Sequence, residues 1–368
     1  MMVLSAERRR LRAVAAHLRA PAGGVVAGPR AASAASSTLE SAAATKSRTP
    51  TMASCGVFPT ADPAAAFNDL RRVGVCVLSG VLMEEEMEPL RARLLAVAAQ
   101  PEHSAAVSGR GAPGLSSAEV RRPASEAARW SPGDDVRAHP GGHIPSFVRH
   151  DPRWAELSVR PPVAALVEKV FGDEWKVIYT TATVNQAGYR GVEWHSDGHL
   201  TQAGVFIDAM PRLVALFMLS PFTADNGGTW ILPASHHADT APELSWSEAE
   251  QASPQEAAVH ITGPAGSVFF FDCRTFHSAA PNFTNSPRIA MTVRYSPSWL
   301  ATEAGAGRTS GQPGPWEPLP DDMFAGLSPE AQKRFIHAHR WDINDHLPLA
   351  PFPFGNRDKE QLLVRQRG

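Results

Sequence analysis

Residues 266–272 read Gly-Ser-Val-Phe-Phe-Phe-Asp, a short apolar run entered through a glycine, and residues 288–295 read Arg-Ile-Ala-Met-Thr-Val-Arg-Tyr, alternating in character along their length. The first is the pattern of a strand buried on both sides. The second places Arg288, Ala290 and Thr292 on one face and Ile289, Met291 and Val293 on the other, because strand side chains alternate with period two. With a third strand run over residues 177–185, the core has to be a sheet. Helical spacing is confined to a few segments. Residues 83–100 open on Glu84, Glu85 and Glu86, which favour a helix N-terminus, and carry an apolar stripe of Met87, Leu90, Leu94 and Val97. A second helix begins at Pro161-Pro162, buries Val163, Leu166, Val167 and Val170, and stops near Gly172. Residues 328–341 also read as helical, and such helices would brace the outside of a sheet.

One polar cluster stands out against this apolar frame. Glu193-Trp194-His195-Ser196-Asp197 reads as a strand end running into a turn at Gly198. Side chains at i and i+2 share a face, so His195 and Asp197 project together while Ser196 points away. His277 lies just past the run at 266–272, and Arg288 follows eleven residues later. In a chain with fourteen histidines a lone His-x-Asp arises by chance; four pieces in this order on strand-like segments carry more weight. Two histidines and one carboxylate on one side of a metal, with positions left open, form the donor set of a non-haem Fe(II) oxygenase. His195, Asp197 and His277 are therefore the candidate metal ligands and catalytic residues. Arg288 offers a planar fork that suits a dicarboxylate co-substrate. Thr292 shares its face, and Asn185 and Thr183 are alternate positions of the 177–185 strand that would line the same pocket. Zinc accepts the same donors. Cys55, Cys76 and Cys273 form no CxxC pair, which argues against a closed structural zinc site but leaves a three-ligand catalytic zinc open.

These residues belong to a longer pattern. It begins with Phe67-Asn68-Asp69-Leu70-Arg71-Arg72-Val73-Gly74-Val75-Cys76-Val77-Leu78 and continues through Trp194-His195-Ser196-Asp197. It then runs Asp225-Asn226-Gly227-Gly228-Thr229-Trp230-Ile231-Leu232-Pro233-Ala234-Ser235-His236 and closes with residues 266–272, His277 and residues 282–288. Over residues 67–300 the chain resembles the phytanoyl-CoA dioxygenase family. The resemblance implies a mainly β fold, a double-stranded β-helix (jelly roll) with flanking α-helices, in which His195, Asp197 and His277 hold Fe(II). It implies that Arg288 pairs with the distal carboxylate of 2-oxoglutarate, the co-substrate, and that His199 lies near the substrate. It implies too that O2 is consumed, that 2-oxoglutarate leaves as succinate and CO2, and that ascorbate is an accessory. The resemblance further implies hydroxylation of an aliphatic small-molecule substrate, such as a branched fatty acyl-CoA at C2, although the family also hydroxylates other small metabolites. Related halogenases lack the carboxylate that is Asp197 here, which favours hydroxylation. The chain departs from the family pattern at Glu193, where glutamine is common, at Ala279, where serine is common, and at Leu216, where one branch has tryptophan. A non-catalytic metal- or ligand-binding module on the same fold is the reading from another functional class.

Composition bounds the partners. The net charge of −2 gives no footprint for nucleic acid, and no apolar run approaches the length of a membrane span. Residues 1–51 hold eight basic side chains against Glu7 and Glu40, or +6, which leaves −8 for the remainder. This leader is rich in Ala, Ser and Arg. Its residues 10–18, Arg-Leu-Arg-Ala-Val-Ala-Ala-His-Leu, match the amino-terminal peroxisomal targeting pattern R-L-x5-H-L, which would make a peroxisomal import receptor a partner. A mitochondrial or plastid transit peptide is the alternative, and a start at Met52 would remove the segment and leave a cytoplasmic protein. An odd count of three cysteines fits a reducing compartment. The expected organisation is a targeting segment at 1–55, a catalytic domain at 56–300 and a C-terminal extension with a helix at 301–368. Residues 101–150, rich in Pro, Gly and Ser, are expected to loop over the mouth, and an acyl-CoA would draw its phosphate contacts from Arg110, Arg121, Arg122, Arg149, Arg190 and Arg212.

Overall fold

Alternation along the strands decides which side of the sheet carries the site. The computed structural model describes residues 50–100, 103, 141–189, 191, 194–197, 209–238, 257–300 and 319–339. The targeting pattern at 10–18, Glu193, His199 and the arginines at 110, 121, 122 and 190 lie outside those residues. Nine strands form two antiparallel sheets among the described residues. The strands are β1 (Val75–Leu78), β2 (Gly141–Pro145), β3 (Trp175–Asn185), β4 (Leu213–Met218), β5 (Thr229–Ile231), β6 (Val259–Ile261), β7 (Val268–Asp272), β8 (His277–Ala279) and β9 (Arg288–Pro297). The large sheet has the order β1-β7-β4-β9-β3-β2 and the small sheet β6-β5-β8. A single antiparallel bridge between His195 and His277 extends the small sheet past β8. From β4 onward the chain changes sheets at every step except β5 to β6, which is the winding of a jelly roll.

The apolar pattern separates the two faces of the large sheet. Val214, Leu216, Met218, Phe269, Phe271 and Ala290 pack inward against Ile231, Val259 and Ile261 of the small sheet. Leu213, Ala215, Phe217, Phe270, Ile289, Met291 and Val293 pack outward. The outer face is covered by α1 (Pro63–Val73), α2 (Glu84–Ala98), α3 (Pro152–Ser158), α4 (Pro161–Phe171) and α6 (Pro329–His339), with the short α5 (Asp321–Ala325) before the last. The stripe Met87, Leu90, Leu94 and Val97 is buried as its spacing requires, and α4 ends at Gly172 with φ +72°. Arg334 anchors α6 to the sheet. Its guanidinium lies 3.9 Å from the centre of the Trp175 ring and donates to the carbonyls of Asp173 and Trp175.

Three expectations change. Residues 101–150 do not loop throughout, since β2 adds an edge strand to β3. Trp194–Asp197 form no strand; the segment is held through separate backbone bonds described below. Met52 and Cys55, placed in the leader by a boundary at 55, are buried in the layer between the sheets.

The Leu-Pro-x-Ser-His motif does structural work in the turn after β5. Ser235 Oγ accepts from the Phe276 amide at 2.8 Å, and His236 lies within 3.2 Å of the Arg71 carbonyl through Nε2. Burial lowers the pKa of His236 to about 4, with nearby Asp272 opposing the shift. The unfolded chain therefore takes up the proton first as pH falls. This histidine's contribution is complete above about pH 6.5 and is lost toward pH 4, which costs about 2 kcal/mol at pH 5. The thermal midpoint is expected to drop between pH 7.5 and 5, and to drop less in His236→Gln. Equal pH dependence in the two proteins would contradict a buried neutral His236.

Candidate metal centre

The Trp-His-Ser-Asp segment is strapped to the turn joining β7 to β8. His195 N donates to the His277 carbonyl at 2.9 Å, His277 N returns a bond to the His195 carbonyl at 2.8 Å, and Asp197 N donates to the Cys273 carbonyl at 2.8 Å. Bonds at i and i+2 keep both side chains on the inner side, as the spacing requires. Trp194, on the other side, stacks against Trp230 at 6.3 Å. The strapped turn is itself locked. Asp272, fully buried, accepts from the amide and guanidinium of Arg274, and Thr275 Oγ1 donates to the Gly74 carbonyl at 3.0 Å.

These constraints bring together three residues that the sequence separates by up to 82 positions. One donor atom from each of His195, Asp197 and His277 lies within 4.8 Å of the others. The two imidazole rings are 4.3 Å apart, centre to centre. His277 Nδ1 lies 2.9 Å from the Thr275 carbonyl, so Nδ1 carries the proton and Nε2 is left as a lone-pair donor. Burial, reinforced by His195, pushes the pKa of His277 down to about 3 and keeps the ring neutral. Asp197 is held below the usual carboxylate range, burial being outweighed by Arg294, the two histidines and Arg212. Two imidazoles and an ionised carboxylate suit a divalent cation with open positions.

Arg288 opens β9 and is 2% exposed. Its Nε donates to the Gly227 carbonyl at 2.9 Å, and the guanidinium lies 4.7 Å from the centre of the Phe222 ring. Nη1 is buried with no hydrogen-bond partner among the described residues. Burial lowers its pKa to about 10, against the opposing influence of Tyr189, so it stays charged at neutral pH. A buried cationic donor without a partner is costly unless an anion completes it. The carboxylate of a small diacid has the geometry to do so. Asn185 is the register partner of Arg288, and its Nδ2 lies 3.5 Å from the same Gly227 carbonyl. Gly227 has φ +81°, and a Cβ there would stand 3.2 Å from the Ala280 carbonyl oxygen, which explains the glycine. Thr292 lies on the inward stripe between Arg288 and Arg294 and pairs with Thr181 and Leu216 in the ladders. Ala279, where the family commonly has serine, stands opposite Thr229 of β5.

Two arginines reach the site that the motif pattern does not mark. Arg294 Nη2 donates to Asp197 Oδ2 at 2.9 Å. The alternation that turns Arg288 inward carries Arg294 inward as well, and that signal was present in the sequence. Arg212 is not a rim cation for phosphates. It is 9% exposed, and its Nη1 donates to the Asp197 carbonyl at 3.2 Å.

The family profile described as phytanoyl-CoA dioxygenase (PhyH) matches residues 70–290, which is 221 of the 368 residues. The dioxygenase af480 of Aspergillus fumigatus is 24% identical over 145 residues, covering 39% of this chain and 45% of that protein. The chain thus spans less than half the length of that relative. The ectoine dioxygenase of Stutzerimonas stutzeri is 28% identical over 206 residues, covering 49% of this chain and 67% of the relative. A solved structure of the epimerase SnoN, in complex with Fe3+, alpha ketoglutarate and nogalamycin RO, aligns with a TM-score of 0.47 at 21% identity, over 66% of this chain and 87% of that one.

Proposed function

The chain belongs to the phytanoyl-CoA dioxygenase family, and on that premise we propose that it is an Fe(II)- and 2-oxoglutarate-dependent dioxygenase that hydroxylates an aliphatic small molecule, with release of succinate and CO2. The observation that carries this reading is the pairing of a His-Asp-His cluster with a buried arginine whose Nη1 lacks a partner among the described residues. Ferrous iron, when bound, supplies the activation of O2 that drives oxidative decarboxylation of the co-substrate and oxidation of a C–H bond.

The chain's own residues set the geometry. His195, Asp197 and His277 would hold the metal. His277 is fixed in the right tautomer by Thr275, and Asp197 is oriented by Arg294 and Arg212. Arg288, steadied by the Gly227 carbonyl, receives the distal carboxylate of 2-oxoglutarate. Asn185 and Thr292 lie on the same inward face as secondary contacts. The apolar inner layer, with Leu216, Phe269 and Phe271, keeps bulk water from the reacting groups.

A branched fatty acyl-CoA, hydroxylated at C2, is the first substrate to test, supported by the family description and by the targeting pattern at residues 10–18. That pattern also supports delivery to the peroxisome by its import receptor. The relatives named for ectoine make a small zwitterionic metabolite the second. The test is succinate release and O2 uptake by anaerobically reconstituted protein, across acyl-CoA esters, free acids and ectoine. Substrate-stimulated succinate release is expected. Hydrolysis without O2 uptake and with retained zinc would replace the reading by a zinc hydrolase. Iron and 2-oxoglutarate binding without turnover on any substrate would favour a binding module.

A further inference from the structure

Asp197 is gripped at two points by arginines. Arg212 takes its backbone carbonyl and Arg294 takes Oδ2 of its carboxylate. Arg294 is fixed in turn. Its guanidinium lies 5.0 Å from the centre of the Tyr179 ring, the residue that faces it across the β3–β9 ladder, beside the irregularity between Val177 and Tyr179. A carboxylate can meet a divalent cation through one oxygen or through both. Charge-assisted bonds to arginine are among the stronger polar contacts in proteins, and here one of the two oxygens is already engaged.

We infer that Arg294 is a positioning residue that reserves Oδ2 of Asp197, so that the metal receives a single carboxylate oxygen and the remaining positions stay available to a chelating co-substrate. The inference rests on the proposed function and adds a residue to it. A guanidinium beside a divalent cation also repels it, so Arg294 does not serve to tighten metal binding. The signature is therefore asymmetric. Losing Arg294 should leave metal affinity intact while weakening the co-substrate. A role limited to holding the segment in place would do the reverse.

The experiment uses the full chain loaded anaerobically with Mn(II), comparing wild type, Arg294→Met, Arg294→Lys and Tyr179→Leu by calorimetry. Metal is titrated first, then 2-oxoglutarate. In Arg294→Met, Mn(II) should bind as tightly as in wild type or more tightly. Its 2-oxoglutarate affinity should fall at least about tenfold, or about 1.4 kcal/mol in binding free energy. Arg294→Lys should recover most of that loss. Tyr179→Leu keeps the charge but removes its platform, and should show a smaller loss in the same direction even if Arg294→Met fails to fold. Weakened Mn(II) binding with unchanged 2-oxoglutarate affinity, or no change in either, would overturn the inference. Wild-type protein that takes up Mn(II) but not 2-oxoglutarate would overturn the proposed function itself.

Discussion

Asp197→Ala is expected to bring succinate release below detection and to weaken Fe(II) binding by at least about 100-fold, beyond the usual cost of removing a mere supporting partner. The reason is coordination and charge together. Asp197 is the one anionic donor in the cluster, beside two imidazoles. Removing it also leaves the field of Arg294 and Arg212 uncompensated where a divalent cation would sit. The segment itself should stay in place, because the Asp197 amide and the His195 backbone hold it to the β7–β8 turn independently of the carboxylate. Iron content after anaerobic dialysis, read beside the thermal midpoint, separates a lost ligand from a lost fold. Stoichiometric iron with undiminished turnover would remove Asp197 from the ligand set.

Arg288→Met should act on the co-substrate instead. With the fork gone, the 2-oxoglutarate concentration needed for half-maximal turnover should rise about 100-fold, on the order of two charge-assisted hydrogen bonds. Metal binding should change little, since Arg288 touches Gly227 and Phe222 and none of the three ligands among the bonds described. Arg288→Lys keeps a charge without the fork and should fall between. Direct titration of 2-oxoglutarate into metal-loaded variants is the measurement. Affinity unchanged in Arg288→Met would move the diacid site elsewhere.

Much of the site was legible because strand periodicity is strict. The i, i+2 rule paired His195 with Asp197, and the same rule turned Arg288 and Thr292 inward. It also carried Arg294 inward, yet nothing in a linear pattern says that this side chain reaches Asp197 across 97 positions of sequence. Arg212 shows the converse. As a lone arginine it reads as a surface charge, and only the folded chain shows it buried against the Asp197 carbonyl. The apolar runs at 266–272 and 288–295 gave the large sheet. Residues 194–197 form no strand, because among the described residues their pairing reduces to one bridge at His195 plus a bond from the Asp197 amide to the Cys273 carbonyl. Likewise β2, Gly-Gly-His-Ile-Pro, has the composition of a turn and becomes a strand only because β3 offers it a free edge. Tertiary pairing overrides weak local preference there.

Anaerobic titration of the apoprotein with Fe(II), with and without 2-oxoglutarate, followed by visible absorption, bears most directly on the metal centre. One Fe(II) per chain is expected, with a charge-transfer band only when metal and 2-oxoglutarate are present together, lost in Asp197→Ala and shifted to much higher 2-oxoglutarate concentration in Arg288→Met. Saturation with Fe(II) and 2-oxoglutarate that yields no such band, or a band that survives in Asp197→Ala at unchanged concentrations, would contradict it.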